Sequence, residues 1–172
     1  LQNASASSPA FVLAADGSAT ANLSSLNGGP IAGSRNRVIN GDMRIWQRGT
    51  SGFTSGYVVD RWYLNGANAA SRSTDVPSGF QYSLSFSISS STVCGASQRI
   101  ESVNTTELAS QSVTISFWFK RTGAAGNLQV NLDYPTAVDN YTATGAIGAT
   151  QVAASPSTSW TYYSVTFPSI NA

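Results

Sequence analysis

The chain has 172 residues, 41% of them hydrophobic and only 10% charged, with nine Lys+Arg against eight Asp+Glu and no histidine. That length suits one domain with an appendage. The near-neutral balance without a basic run excludes the electrostatic footprint of a nucleic-acid binder, and the missing histidine excludes Ser-His-Asp and Cys-His catalysis and His-ligated zinc.

Residues 1–34 read as an extended N-terminal arm or connector. The stretch is small and polar apart from "AFVLAA" and a few leucines, and Asp16-Gly17 and Gly28-Gly29-Pro30 mark turns. It holds too little apolar surface to fold alone, so Phe11, Val12, Leu13, Leu23 and Leu26 are expected to be buried by another body or by copies of the same arm. The start "LQNASASSPAF" has neither a basic nor an apolar leader region. No run approaches the roughly 18 apolar residues of a membrane span, and no membrane insertion is expected. The missing initial Met points to a portion of a longer chain.

From residue 35 to 172 the dominant period is two, the mark of half-buried strands. "VINGDMRIW" and "DRWYL" are expected strands. In "YSLSFSIS", Tyr82, Leu84, Phe86 and Ile88 point one way and four serines the other. "SQRIESV" is a further strand, and "NTTELAS" can make one short helical turn. "SVTISFWFK" sets Val113, Ile115, Phe117 and Phe119 against Thr114, Ser116, Trp118 and Lys120. "GAAG" then reads as a hairpin connection to "NLQVNLDY", and "WTYYSVTF" is the last strand. Short alternating strands separated by Gly, Pro and Ser clusters predict an all-β fold, an antiparallel β-sandwich jelly roll over residues 35–172.

A surface this poor in charge, against a usual fraction of about 25%, must be built from Ser, Thr, Asn, Gln and Gly, which suits neutral, hydroxyl-rich partners. Catalysis finds little support. Asp60 stands beside Arg61, and Glu101 two positions from Arg99, so both acids read as ion-paired framework groups. Asp133 and Asp139 are placed by the sequence within reach of one another across "YPTAV", the pair a glycosidase would need, but a fold by itself implies no chemistry and an enzymatic role is not expected. Cys94 reads as a small buried hydrophobe. No catalytic residue, metal or cofactor is expected.

The segment "SSLNGGPIAGSRNRVINGDMRIWQRGTSGFTSGYVVDRW" resembles one that recurs in bacteriophage tail-fibre and related tail proteins. There an Ala-Gly-x-Arg-Asn lead enters Ile-Asn-Gly-Asp, then Trp-Gln-Arg-Gly, then Asp-Arg-Trp. The likeness is carried by Ala32, Gly33, Arg35, Asn36, Ile39 to Asp42, Ile45 to Gly49, and Asp60 to Trp62, while Met43 stands where an aromatic is more usual. "QRIES", "VTISFWFK" and "TSWTYYSVTF" are similar to strands of carbohydrate-binding-module jelly rolls. The resemblance implies a non-enzymatic, structural tail-fibre-like protein of a phage virion, involved in attachment to the host surface. It also implies a homotrimer, with other virion tail proteins and a host surface glycan as partners. Such domains continue past the last strand seen here with one or two more, so the sandwich is expected to lack its closing strands, supplied by more chain or covered by a neighbour. The alternatives are a carbohydrate-binding accessory module of a secreted enzyme and a virion decoration protein.

Two groups of residues are singled out. Asn40, Asp42, Trp46, Asp60, Arg61 and Trp62 read as framework: Asn40-Gly41 as a turn, the tryptophans as core or rim, Asp60-Arg61 as the order of the loop before Trp62, and Asp42 as too solitary a carboxylate for calcium. The glycan-binding candidates are the polar-face residues Trp118, Lys120, Gln129, Asn131, Asp133, Trp160 and Tyr162. Aromatic planes flanked by amides and a carboxylate suit a sugar, whose apolar C–H faces meet π-surface while its hydroxyls take hydrogen bonds. The other reading of that face is that a second layer or subunit covers it.

Overall fold

The structure, a computed structural model, describes residues 11–13, 19–21, 36–66, 69–88, 93–124 and 126–168. It divides into two compact units, Leu1–Asn36 and Arg37–Ala172. In the first, β1 (Phe11–Leu13) pairs antiparallel with β2 (Ala19–Ala21), Val12 opposite Thr20. Leu23 and Leu26 lie outside the described residues.

The second unit is all-β, with every described pairing antiparallel. Its strands are β3 (Gly56–Tyr57), β4 (Trp62–Asn65), β5 (Ala69–Ser73), β6 (Ser83–Ser87), β7 (Gly95–Gln98), β8 (Val113–Phe119), β9 (Leu128–Ala137), β10 (Asn140–Ala153) and β11 (Thr161–Phe167). They group as β3-β4-β7, β5-β6, β8-β11 and β9-β10. The expected helical turn appears as two 3-10 turns, Ser102–Asn104 and Thr106–Leu108.

Alternation explains the strand faces. Along β8 the residues Val113, Ile115, Phe117 and Phe119 are partly buried while Thr114, Ser116 and Trp118 are exposed. On β11 Val165 and Phe167 are buried. The Phe167 ring lies against Gly148 of β10, where a Cβ would come within 2.9 Å of Cδ1, so only glycine lets the two strands approach this closely. A separate core centres on Val58, Val59, Leu64 and Ala70, all at most 2% exposed. Full burial of such aliphatic side chains contributes about 1.5 to 3 kcal/mol each. Met43, Trp46, Phe53, Trp62, Leu84 and Phe86 close over this core, and β4 feeds it because Trp62 and Leu64 share one face while Tyr63 takes the other.

Three expectations are corrected. First, "VINGDMRIW" is not a strand but a turn at residues 39–42 followed by irregular chain, organised by Asn40, whose φ is 53°. Its Oδ1 accepts from the backbone N–H of Arg44 and of Ile45, both at 3.0 Å, and its Nδ2 donates to the carbonyls of Ile45 (3.0 Å) and Asp60 (3.1 Å). Its own carbonyl accepts the Trp62 indole N–H at 3.2 Å. The Gln98 side chain pairs with both backbone groups of Ile39, as a neighbouring strand would. Side-chain amides thus satisfy backbone groups that a ladder would otherwise occupy.

Second, β8 and β9 do not form a hairpin. β9 pairs with β10 across the two-residue turn Val138-Asp139, with Asp139 at φ 54°, and β8 takes β11. Arg121, just beyond β8, reinforces that choice by donating from its backbone to the Ser157 carbonyl (3.0 Å) and from Nε to the Pro156 carbonyl (2.6 Å). Third, "SQRIESV" is strand only in Ser97 and Gln98, which end β7, and enters a 3-10 turn at Ser102; "NYTATGAIGATQVA", in contrast, is a 14-residue strand that its small residues, with little apolar alternation, do not announce.

Replacing Asn40 tests the turn. Asn40→Ala loses four side-chain hydrogen bonds at about 1 kcal/mol each and places Ala at positive φ at a further cost of about 1 kcal/mol. Asn40→Gly loses the same bonds without that strain. Urea denaturation is expected to show both variants strongly destabilised, with glycine the better tolerated.

Candidate functional site

The outward face of β8-β11 carries a row of side chains in register. Tyr162 stands opposite Trp118, Ser164 opposite Ser116 and Thr166 opposite Thr114. Trp118 is 42% and Tyr162 55% exposed, and their rings meet edge-to-face with centroids 5.5 Å apart. Directly opposed residues of an antiparallel pair are close enough for such a contact, which is worth about 0.5 to 1.5 kcal/mol beyond area burial. The Thr114 and Thr166 hydroxyls hydrogen-bond at 2.9 Å.

One step farther along the same face lie Lys120 and Trp160, the ammonium 5.5 Å from the indole centroid. Asp75, from the β5-to-β6 connection, ties them together. One oxygen pairs with Lys120, and the other accepts the Trp160 indole N–H at 3.0 Å. The connection is itself anchored, since the Asp75 N–H donates to the Ser73 hydroxyl (3.1 Å) and the Ser83 hydroxyl to the Asp75 carbonyl (2.8 Å). Lys120 is thereby neutralised and Trp160 held by its polar edge. The result is a platform of two exposed rings, a third ring fixed beside them, and hydroxyls along one side. Such a surface can stack an apolar ring face and hydrogen-bond its substituents.

Four of the seven candidate residues, Trp118, Lys120, Trp160 and Tyr162, therefore come together. Gln129, Asn131 and Asp133 do not join them through a hairpin. They project from β9, which is paired with β10, opposite Gln151, Ala149 and Ala146, and Gln129 Nε2 donates to Asn131 Oδ1 at 2.9 Å. Their assignment to the face rested on the hairpin that the pairing overturns. Asp75 was missed, because it lies 45 positions from Lys120 and 85 from Trp160. Its only local signal is a turn-like Ser-Thr-Asp-Val-Pro.

The other residues singled out lie near the core. Trp46 and Trp62 pack against it, and Asp42 pairs with Arg44 at 2.9 Å. Asp60 is not ion-paired with Arg61: its carboxylate accepts the Gln47 N–H at 2.7 Å, and Arg61 pairs with Glu101 at 2.6 Å. Arg61 and the Glu101–Asn104 hydrogen bond lower the Glu101 pKa. Asp133 and Asp139 are separated by the run of β9 to Ala137, and Asp139 instead accepts the Ser102 N–H (2.7 Å) and hydroxyl (3.2 Å). Cys94 is half-buried against the core, and burial pushes its thiol up. Among the described residues no three His, Cys, Asp or Glu side chains gather to hold a metal ion, and no helix is long and apolar enough to cross a membrane. Comparison with known proteins finds no matching family model, curated protein or solved structure.

The Lys120 contact first, and the Trp160 N–H second, hold the Asp75 carboxyl below the usual aspartate range. What the tie contributes is therefore present above the unfolded-state pKa of about 3.9 and is lost as pH falls through the lower folded-state value. The Trp160 indole N–H resonance is expected to shift with a midpoint below that value. Asp75→Asn should abolish this titration when followed by NMR.

Proposed function

We propose that the chain is a structural, non-enzymatic tail-fibre-like protein of a phage virion, and that its β8-β11 face holds a glycan of the host surface. The observation that carries this reading is the exposed Trp118–Tyr162 pair, in register and flanked by the clamped Trp160. An exposed aromatic patch on a hydroxyl-rich surface suits a contact with a neutral sugar. The resemblance of residues 24–62 to phage tail proteins supplies the setting, and a jelly roll is the architecture proposed for residues 35–172. One stacked ring adds about 1 kcal/mol beyond area burial, so a single site binds weakly. Linked copies on a fibre raise the avidity by about two to four orders of magnitude.

Trp118→Ala is expected to leave the protein folded at a cost of about 1 to 2 kcal/mol, the edge-to-face contact and the partial burial of the ring together. Adsorption of the assembled protein to host cells should fall at least tenfold. Unchanged adsorption by a folded variant rejects the glycan face and leaves a structural connector as the better account.

Assembly follows the same reading. A homotrimer buries the apolar residues of the arm, Phe11, Val12, Leu13, Leu23 and Leu26, by symmetric association. Sedimentation equilibrium is expected to give a trimer for residues 1–172 and a smaller species for residues 34–172. A monomer in both cases rejects it.

A further inference from the structure

The outer face of β3-β4-β7 carries a second surface of different chemistry. A groove of about 490 Å3 lies there, lined by two tyrosines and six charged side chains. The whole chain has nine basic and eight acidic residues, and three of each line this one groove. Its acids are held locally: Glu101 by Arg61, Asp139 by the Ser102 N–H and hydroxyl, and Asp60 by the Gln47 N–H. Two of its guanidiniums are not. Among the described residues, Arg48 and Arg99 make no side-chain hydrogen bond or ion pair, and each instead lies over tyrosine rings.

Those rings form a ladder. Arg48 sits 5.8 Å from the Tyr57 centroid. Tyr57 meets its register partner Tyr63 edge-to-face at 5.4 Å. Arg99 lies 5.6 Å from Tyr63 and 5.3 Å from Tyr141. Tyr63 pairs with Ser97, so Arg99, two residues on, projects from the same face. The Tyr141 hydroxyl donates to the Ile100 carbonyl, which fixes the ring that Arg99 covers. A guanidinium held over a ring face by cation–π attraction keeps its N–H groups available, and its fork matches a planar carboxylate in bidentate fashion.

We propose that this groove binds the carboxylate of an acidic sugar of the uronic-acid class, with Arg48 and Arg99 as the donors and the Tyr57 and Tyr141 rings as its walls. The three fixed carboxylates decide the ligand class. They balance the three arginines and engage Arg61 through Glu101, so two guanidiniums remain to match one carboxylate charge, whereas the second charge of a dianionic phosphate finds no further free cation and is repelled by the same carboxylates. The same carboxylates, with lone pairs to spare, accept hydrogen bonds from sugar hydroxyls. The groove rests on residues none of which belongs to the β8-β11 platform, so either site stands if the other fails.

The test is calorimetric titration of the full chain with tetragalacturonate, its methyl ester and inorganic phosphate. Tetragalacturonate is expected to bind, with affinity falling at least tenfold on esterification and at least fivefold in Arg48→Gln and in Arg99→Gln. Trp118→Ala should leave it unchanged. Arg99→Lys keeps the charge and the ring contact but loses the planar fork, so it is expected to weaken binding at least fivefold even if Arg99→Gln fails to fold. Absence of binding, equal affinity for the ester, displacement by equimolar phosphate, or arginine variants that bind as well as the parent overturns the proposal. Loss of binding in Trp118→Ala alone also overturns it and assigns the sugar to the platform.

Discussion

The amide of Asn40 is the constraint on which much of the second unit depends. One neutral side chain makes four hydrogen bonds, to the backbone of residues 44, 45 and 60, while its own carbonyl receives the Trp62 indole. It therefore joins a loop to the residue pair that launches β4. Where β4 begins decides which side chains enter the core, because a one-residue slip would exchange Trp62 and Leu64 for Tyr63 and Asn65. The core of Val58, Val59, Leu64 and Ala70 and the outward tyrosine ladder are then two consequences of one register. Gln98 acts similarly at Ile39. Both devices are uncharged, in keeping with a chain that has few charges to use.

The two outward surfaces share a plan and differ in one detail. Each is built on a directly opposed aromatic pair, Trp118–Tyr162 or Tyr57–Tyr63, and each has cations lying over aromatic rings. On β8-β11 the cation is Lys120, and Asp75 cancels it. On β3-β4-β7 the stacked cations are Arg48 and Arg99, which no described carboxylate pairs. Asp75 thus ties up the ammonium of the platform, whereas Arg48 and Arg99 keep guanidinium donors unpaired on the other face. Neither surface uses a titrating histidine, since the chain has none.

What was legible in the sequence follows from how local each signal is. The faces of β8, β9 and β11 were legible because Val113 to Phe119, Leu128 to Tyr134 and Tyr163 to Phe167 alternate without interruption. Which strand pairs with which was not, because period two describes a strand's faces and says nothing about its neighbour. The Arg121 contacts that favour β11 span 35 and 36 positions. "VINGDMRIW" misled because its apolar residues suit a strand, whereas one side chain with four suitably placed partners holds it in a turn and irregular chain. β10 was invisible for the opposite reason: Ala, Gly and Thr carry little hydrophobic contrast, and its strand character comes from pairing with β9. Of the platform, the aromatic members were legible and the aspartate that clamps them was not.

The loops between Trp46 and Trp62 also supply half of the lining of the charged groove, Arg48, Tyr57, Asp60 and Arg61. Gln47 donates to the Asp60 carboxylate, and the Asp60 carbonyl accepts from Asn40. Arg48, the residue after Gln47, is thereby placed from the same hub. Arg61, the residue after Asp60, adopts φ 74° and reaches Glu101. Trp-Gln-Arg-Gly and Asp-Arg-Trp, which read as packing signals because of their tryptophans, thus supply Arg48, Asp60 and Arg61 to one wall. The tryptophans secure the loops inward and the charged residues between them face outward. Framework contacts and the charged lining of the groove are then two faces of the same short loops, which explains why so much residue-specific chemistry is concentrated in a chain otherwise composed of small polar residues.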